Sequence, residues 1–195
     1  EGLVFQNGFA LTRPSNGRIE YEQFGGASVV KVIDFDLGFT DLYSSAGKKI
    51  ITQVEMVLEK EVDGVGVMQV VKEGRFRIFR ADGKELGGDG EVVGDQFTKY
   101  IPVEEDSLFY LIDAKGKRVG EGFKEEPFRE VEGYVLSLMA DQGEGTVIYP
   151  DGTKKELSFA ARDMFVSKGN VSFLTSTEKG SQIVDAEGND IIRTK

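Results

Sequence analysis

The sequence predicts an all-β fold of six hairpin-containing repeat units of about 33–36 residues, arranged as a propeller-like or curled β-repeat array. Three observations predict it: period-2 alternation, glycine turns at near-constant intervals, and 25 glycines against 4 prolines. The clearest unit is Arg75–Leu86, where Phe76 and Ile78 alternate with arginines. Asp82-Gly83 follows, and this dipeptide is typical of a hairpin because the turn needs a positive φ.

The same glycine turn recurs along the chain at intervals of 30 to 36 residues. The predicted turns are at Gly17, Gly47, Gly83, Gly116, Gly152 and Gly188. In five of the six, the residues four and five places before the glycine are both apolar, as in Ile78-Phe79. A polar residue follows the glycine directly, for example Lys48, Lys84 and Lys117. Because one hairpin cannot bury its own apolar face, neighbouring units are expected to complete a shared core.

A second apolar stretch precedes each of the later turns, so each unit is predicted to hold two or three short strands, and four in places. These stretches are Ser28–Asp34, Val65–Val71, Phe97–Val103, Tyr134–Met139 and Val171–Leu174. Only Ile51–Val62 has helical spacing as well as β-branched residues, and the sequence leaves it open between helix and strand. No linker divides the chain, which predicts one all-β repeat domain over residues 1–195; closed propeller and open array both remain possible.

Two hairpins, Leu111–Lys117 and Ile183–Gly188, share an apolar pair followed by aspartate and a turn glycine. They resemble the L-I-D-x-x-G-K core of WG (KWG) repeats, and Phe128–Tyr134 is similar to the F-x-E-G segment that precedes this core in the family. The chain departs from the family in having no tryptophan and hence no WG dipeptide. The resemblance implies a bacterial interaction or surface module of all-β build. The segment Gly143–Thr153 also resembles a single MORN repeat, but the other turns do not follow the shorter MORN period.

Composition narrows the function classes. The 195 residues carry a net charge of −10 and contain no cysteine and no histidine, which excludes disulfides, thiolate nucleophiles and histidine-based triads. Nucleic acid is not an expected partner of so acidic a chain, and no apolar run is long enough for a transmembrane segment. The chain starts at Glu1 rather than Met. This start fits either a removed export signal or a trimmed boundary, and we expect an extracytoplasmic (periplasmic or cell-surface) location.

One candidate cation site is acidic. Asp34 and Asp36, with Asp41 nearby, could supply oxygen ligands to calcium, and Asp89 with Glu91 is a weaker example. The EF-hand spacing is absent, and strand alternation predicts that Asp34 and Asp36 share one exposed face. We therefore interpret these carboxylates as a solvated strand end and turn, and we assign no metal site.

A basic cluster and a glycine-rich loop are candidate anion sites. The cluster consists of Lys72, Arg75, Arg77, Arg80 and Lys84. These cations could bind a carboxylate or phosphate through bidentate hydrogen bonds. The alternative is a polar strand face whose positive charge is balanced by Glu73 and Glu85. The loop Gly87–Gly94 looks like a phosphate loop, but Val93 stands where the dinucleotide motif needs its third glycine, so a flexible loop between units is the interpretation.

No catalytic residue, ligand-binding residue or cofactor can be assigned from these patterns. The sequence favours a non-enzymatic binding module of an exported bacterial protein, which recognises a protein or glycan through its repeat loops. One alternative is a structural component of a surface assembly. Another is a glycoside hydrolase that uses two of the 34 carboxylates, whose separation the sequence does not report. Ligand identity and oligomeric state stay open.

Overall fold

The structure is a computed structural model that describes residues 2–88, 90–92, 97–138, 145–178 and 180–193. Within these ranges the chain forms 22 strands and no helix, so the described part contains no helix that could cross a membrane. The predicted all-β, propeller-like fold class is confirmed.

The strands form one two-stranded sheet and five four-stranded sheets. Sheet 1 contains β1 (Gly2–Val4) and β2 (Ala10–Thr12). Sheet 2 contains β3 (Gly17–Phe24), β4 (Ala27–Asp34), β5 (Phe39–Ser44) and β6 (Lys49–Val54). Sheet 3 contains β7 (Met56–Val62), β8 (Val65–Lys72), β9 (Arg75–Arg80) and β10 (Glu85–Gly88).

The remaining three sheets follow the same plan. Sheet 4 contains β11 (Glu91–Val92), β12 (Ile101–Glu105), β13 (Leu108–Ile112) and β14 (Arg118–Phe123). Sheet 5 contains β15 (Glu126–Val131), β16 (Tyr134–Leu138), β17 (Gly145–Ile148) and β18 (Lys154–Glu156). Sheet 6 contains β19 (Ala161–Ser167), β20 (Asn170–Thr177), β21 (Gly180–Val184) and β22 (Asp190–Arg193).

In each four-stranded sheet the strands lie side by side in chain order, as in a propeller blade. The ambiguous stretch Ile51–Val62 is strand throughout most of its length, shared between β6 and β7, because its β-branched residues pack in sheets. Two-residue turns with positive φ at both positions recur in all five four-stranded sheets. They include Gly25-Gly26, Asp63-Gly64, Asp106-Ser107, Glu132-Gly133 and Lys168-Gly169.

The predicted glycine turns join the third strand to the fourth in every four-stranded sheet. At Gly83, φ is +89° and the amide donates to the carbonyl of Arg80, while the Arg80 amide donates to the carbonyl of Lys84. Gly47, Gly152 and Gly188 repeat both hydrogen bonds, and Gly116 has the same positive φ. Five of the six predicted turns are therefore confirmed.

The sixth predicted turn, at Gly17, is wrong. Gly17 is the first residue of β3 and has no positive φ. The equivalent turn is at Gly8, where φ is +83°, the Gly8 amide donates to the Phe5 carbonyl and the Phe5 amide donates to the Phe9 carbonyl. Asn7 fixes this turn because its Oδ1 accepts from the Phe9 amide at 3.0 Å.

The chain divides into two compact units. Unit 1 comprises residues 1–91 and 114–117, and unit 2 comprises 92–113 and 118–195. A core of unit 1 between sheets 2 and 3 is centred on fully buried side chains that include Val29, Leu42 and Met68. A core of unit 2 between sheets 5 and 6 includes Leu136 and Phe173. The single repeat domain over 1–195 stays a prediction.

Candidate functional site

Within unit 1, two glycine turns lie close against strands that precede them in the chain. A Cβ at Gly83 would lie 3.2 Å from Ile50 of β6, and a Cβ at Gly116 would lie 2.8 Å from the Leu86 carbonyl oxygen of β10. Glycine is therefore favoured at both turns by its positive φ, and at Gly116 also by the close approach of the Leu86 backbone. As a result, the turns after β5 and β9 and the turn at 114–117 are neighbours within unit 1.

Five exposed lysines are carried by these three turns and the residues next to them. We call them the lysine row: Lys48, Lys49, Lys84, Lys115 and Lys117. Neighbouring turns are linked directly, since the Lys84 ammonium donates to the carbonyl of Lys115 at 3.1 Å. The row is a product of the repeat, because the position after the turn glycine is solvent-exposed and lysine occupies it in three successive sheets.

The carboxylates within these segments are already paired with arginines. Glu85 accepts two hydrogen bonds from Arg77, at 2.8 and 2.7 Å, and Asp82 pairs with Arg80 at 2.7 Å. Residues 47–49, 77–85 and 114–117 together hold seven of the 24 Lys and Arg residues of the chain and only two of its 34 Asp and Glu residues. A strongly acidic protein therefore has a cationic surface at the glycine-turn end of unit 1.

The basic cluster predicted from the sequence is divided by the structure. Lys72 and Arg75 face each other across the Glu73-Gly74 turn, at the opposite end of β9 from Arg80 and about 17 Å away at the usual rise per residue. Arg77 is held by Glu85 and also stacks over Phe79, with its guanidinium carbon 5.1 Å from the ring centroid. Of the five predicted residues, only Lys84 belongs to the lysine row.

The three aspartates of the predicted calcium site serve separate turns. The carboxylate of Asp34 accepts from the amides of Asp36 and Leu37, and that of Asp36 accepts from the Asn16 side chain at 2.6 Å. Asp41 accepts from the Gln53 amide at 2.8 Å. The expectation that Asp34 and Asp36 share a strand face is wrong, because β4 ends at Asp34 and Asp36 lies in the turn. Among the described residues no group of three such side chains is placed to hold a metal.

A partly buried charge cluster lies between sheets 2 and 3. The Lys31 ammonium of β4 pairs with Glu22 of β3 at 2.8 Å and with Glu59 of β7, although Glu59 Oε1 makes no well-aligned hydrogen bond. Burial alone would lower the pKa of Lys31, but the hydrogen bonds that its ammonium donates to the two carboxylates outweigh this and raise the pKa. The hydrogen bond to Lys31 lowers the pKa of Glu22, whereas burial raises the pKa of Glu59. Nothing in the sequence indicated this cluster.

A groove of about 680 Å³ opens in unit 2. Its lining residues are Phe123, Lys124, Glu125, Thr146, Lys154 and Glu156. The Lys154 ammonium closes one wall, because it donates to the Gly122 carbonyl at 2.7 Å and lies 5.9 Å from the centroid of the Phe123 ring. The Phe123 ring itself is 5% exposed and belongs to the core, so it offers little stacking surface.

The remaining candidates lie partly outside the described residues. Asp89 is outside them, as are Val93 and Gly94 of the glycine-rich loop and Gly143 of the MORN-like segment. Glu91 is the exposed first residue of β11.

No protein-family model matches the chain, and no curated protein matches it. Solved structures with a similar strand arrangement include Kluyveromyces lactis Hsv2 (13% identity, TM-score 0.43, 91% of this chain and 62% of that chain). They also include the dihydro-heme d1 dehydrogenase NirN (13%, 0.40, 91% and 46%) and a protein of unknown function from Bacteroides caccae (11%, 0.32, 94% and 83%). The chain spans less than two thirds of the length of the Hsv2 structures. Since these TM-scores are below 0.5, the likenesses carry no argument about what this chain binds.

Proposed function

We propose that this chain is a non-enzymatic binding module that takes an anionic protein or glycan on the lysine row of unit 1. The observation that supports it is the concentration of exposed lysines on three neighbouring turns of an otherwise acidic chain. Turns on a rigid sheet scaffold are suited to recognition, since their side chains vary without changing the fold.

Charge supports an anionic ligand. The two carboxylates of these segments are paired with Arg77 and Arg80, and neither forms an ion pair with Lys48, Lys49 or Lys84. Exposed ammonium groups attract anions over roughly 8 Å at physiological salt, which is the Debye length. Such a surface favours binding that is fast and sensitive to salt.

Binding of two polyanions, dextran sulfate and poly-glutamate, tests the proposal. We expect both the intact chain and a control variant to bind at least one of them at 50 mM salt, and the binding to weaken steeply at 200 mM. The variant Lys48→Glu/Lys49→Glu/Lys84→Glu should bind at least tenfold more weakly. The matched control is Lys124→Glu/Arg162→Glu/Lys168→Glu, which changes the net charge equally at exposed cations of unit 2.

Equal loss in both variants would show that only net charge matters and would contradict a site on the lysine row. Failure of the intact chain to bind either polyanion would contradict the proposal as a whole. The WG-repeat relationship, the extracytoplasmic location, and the structural and glycoside hydrolase alternatives stay predictions from the sequence.

A further inference from the structure

We propose that the ligand of the lysine row is an extended acidic polypeptide, which adds as a further strand to the free edge of β6. This inference rests on the proposed function and identifies its partner class. Strand addition gives affinity through main-chain hydrogen bonds and leaves specificity to the side chains.

The first step is the edge itself. β6 is the outermost strand of sheet 2, and among the described residues β5 is the only strand that pairs with it. One side of an outermost strand presents backbone N–H and C=O groups to whatever lies beside the sheet. Gly83 of the next turn packs on the Ile50 side chain, which fixes the strand in place.

The second step is the chemistry at the start of that edge. Lys48 and Lys49 lie at the entry to β6, both are exposed, and neither has a carboxylate partner among the described residues. An added strand would therefore meet two uncommitted ammonium groups at one end. Glutamate or aspartate side chains on that strand would supply the complementary charge.

The third step is the length of the available edge. The register between β5 and β6 shifts between Lys49 and Ile51 and again between Ile51 and Val54, where Gln53 has a φ of +57° and its amide is taken by the Asp41 carboxylate at 2.8 Å. We therefore take the stretch Lys49 to Thr52, on the lysine side of Gln53, as the available edge. Four residues at one edge suit a short peptide segment, and only a polypeptide has the amide spacing to pair with it; a polyanionic glycan would use the lysines alone.

Peptide chemistry separates edge pairing from simple charge attraction. The probe is a labelled ten-residue peptide in which glutamate alternates with threonine, and the matched probe carries N-methyl groups on alternate amides. Both have the same charge, but the second cannot complete a strand ladder. We expect the intact chain to bind the N-methylated peptide at least tenfold more weakly, and Lys48→Glu/Lys49→Glu to weaken binding of the unmodified peptide by a similar factor.

Lys124→Glu/Lys168→Glu serves as the equal-charge control and should bind as the intact chain does. Hydrogen exchange should slow at the amides of residues 49–52 on binding. Equal affinity for the two peptides, or protection confined to other strands, would overturn the strand addition. Dextran sulfate binding that depends on the lysines would then leave the proposed function standing, whereas no binding of any probe would overturn both.

Discussion

Lys31 is the residue whose environment departs furthest from that of an ordinary surface lysine. It is 8% exposed and sits at the edge of the core that contains Val29 and Met68. Its ammonium joins Glu22 of sheet 2 to Glu59 of sheet 3. A buried ion pair gains little over apolar residues of equal volume, but removal of one partner leaves an uncompensated charge. We therefore expect the cluster to contribute more to the contact between the two sheets than to net stability.

Replacement of Lys31 by methionine tests this balance. Glu22 and Glu59 would then face each other without a cation, so we expect the free energy of unfolding to fall by about 3 kcal/mol at pH 7. Part of the loss should be recovered as the pH falls towards 4.5, because protonated carboxyls no longer repel. Urea unfolding at several pH values measures both effects. The variant Glu22→Gln/Lys31→Met/Glu59→Gln should be close to the intact chain, and equal loss in the triple variant would show that packing, not charge, is responsible.

The two glutamates should contribute oppositely to the pH dependence of stability. Burial raises the pKa of Glu59 in the folded state, so its contribution is fully present below its ordinary pKa of 4.5 and is lost as the pH rises through the folded value. The hydrogen bond to Lys31 lowers the pKa of Glu22, so its contribution is present above 4.5 and is lost as the pH falls. We expect Glu59→Gln to flatten the decline in unfolding free energy above pH 4.5, and Glu22→Gln to lower stability most at pH 7. Identical pH profiles for the two variants would refute the assignment.

At the scale of secondary-structure elements, the glycine turn is both the feature that repeats along the chain and a point of contact between sheets. At Gly152, φ is +87° and a Cβ would lie 2.6 Å from the Gly120 backbone nitrogen of β14. At Gly169, φ is +77° but the nearest atom, the Tyr134 hydroxyl, is 4.0 Å away. The two glycines of unit 2 therefore share the conformational requirement and differ in the space around them.

We expect Gly169→Ala to cost about 1–2 kcal/mol, which is the penalty of the left-handed conformation alone. Gly152→Ala should cost clearly more, because β14 must also move. Thermal and urea unfolding of the two variants measure the difference. Equal costs would mean that the close approach of Gly152 to β14 does not contribute.

The turn pattern shows how much of the fold was predictable. Five turn glycines followed from an apolar pair, a small residue and a polar residue at fixed offsets, since a hairpin imposes local chemistry. Gly8 is also preceded by an apolar pair, Leu3-Val4, at the same four and five places before the glycine. It lies 39 residues before Gly47, however, whereas the predicted turns are 30 to 36 residues apart. Gly17 fits the interval between turns but lacks the apolar pair before it. The period therefore predicts the wrong glycine here, because the local chemistry is what forms the turn.

The candidate site was less predictable because it depends on which turns become neighbours. Lysine after the glycine was visible at Lys48, Lys84 and Lys117. The sequence instead grouped Lys84 with Lys72 and Arg75, which are near it along the chain and lie at the other end of β9. The charge cluster was equally hidden in the sequence. Its members look like ordinary polar residues of three different strands, namely Glu22, Lys31 and Glu59. A contact between two sheets leaves no pattern in the sequence around any one residue.

At the scale of the whole molecule, the charge distribution determines whether copies of the chain associate in solution. The net charge is −10 and the isoelectric point is about 4.7, while one end of unit 1 is cationic. At pH 7 the net charge keeps copies apart in solution. At low ionic strength this repulsion acts over about 30 Å, because the Debye length there is long.

We therefore expect the protein to be monomeric at pH 7 and to associate reversibly near pH 4.7 at low salt, where repulsion vanishes and the lysine row of one copy meets the remaining carboxylates of another. Sedimentation velocity over a range of concentrations measures it. Added salt at 0.5 M should reverse the association, and Lys48→Glu/Lys49→Glu/Lys84→Glu should weaken it even at that variant's own isoelectric point. Association at pH 7 that salt leaves unchanged would contradict this account, because it would require contact through apolar surface or unpaired strand edges, and it would favour the structural role over the binding role.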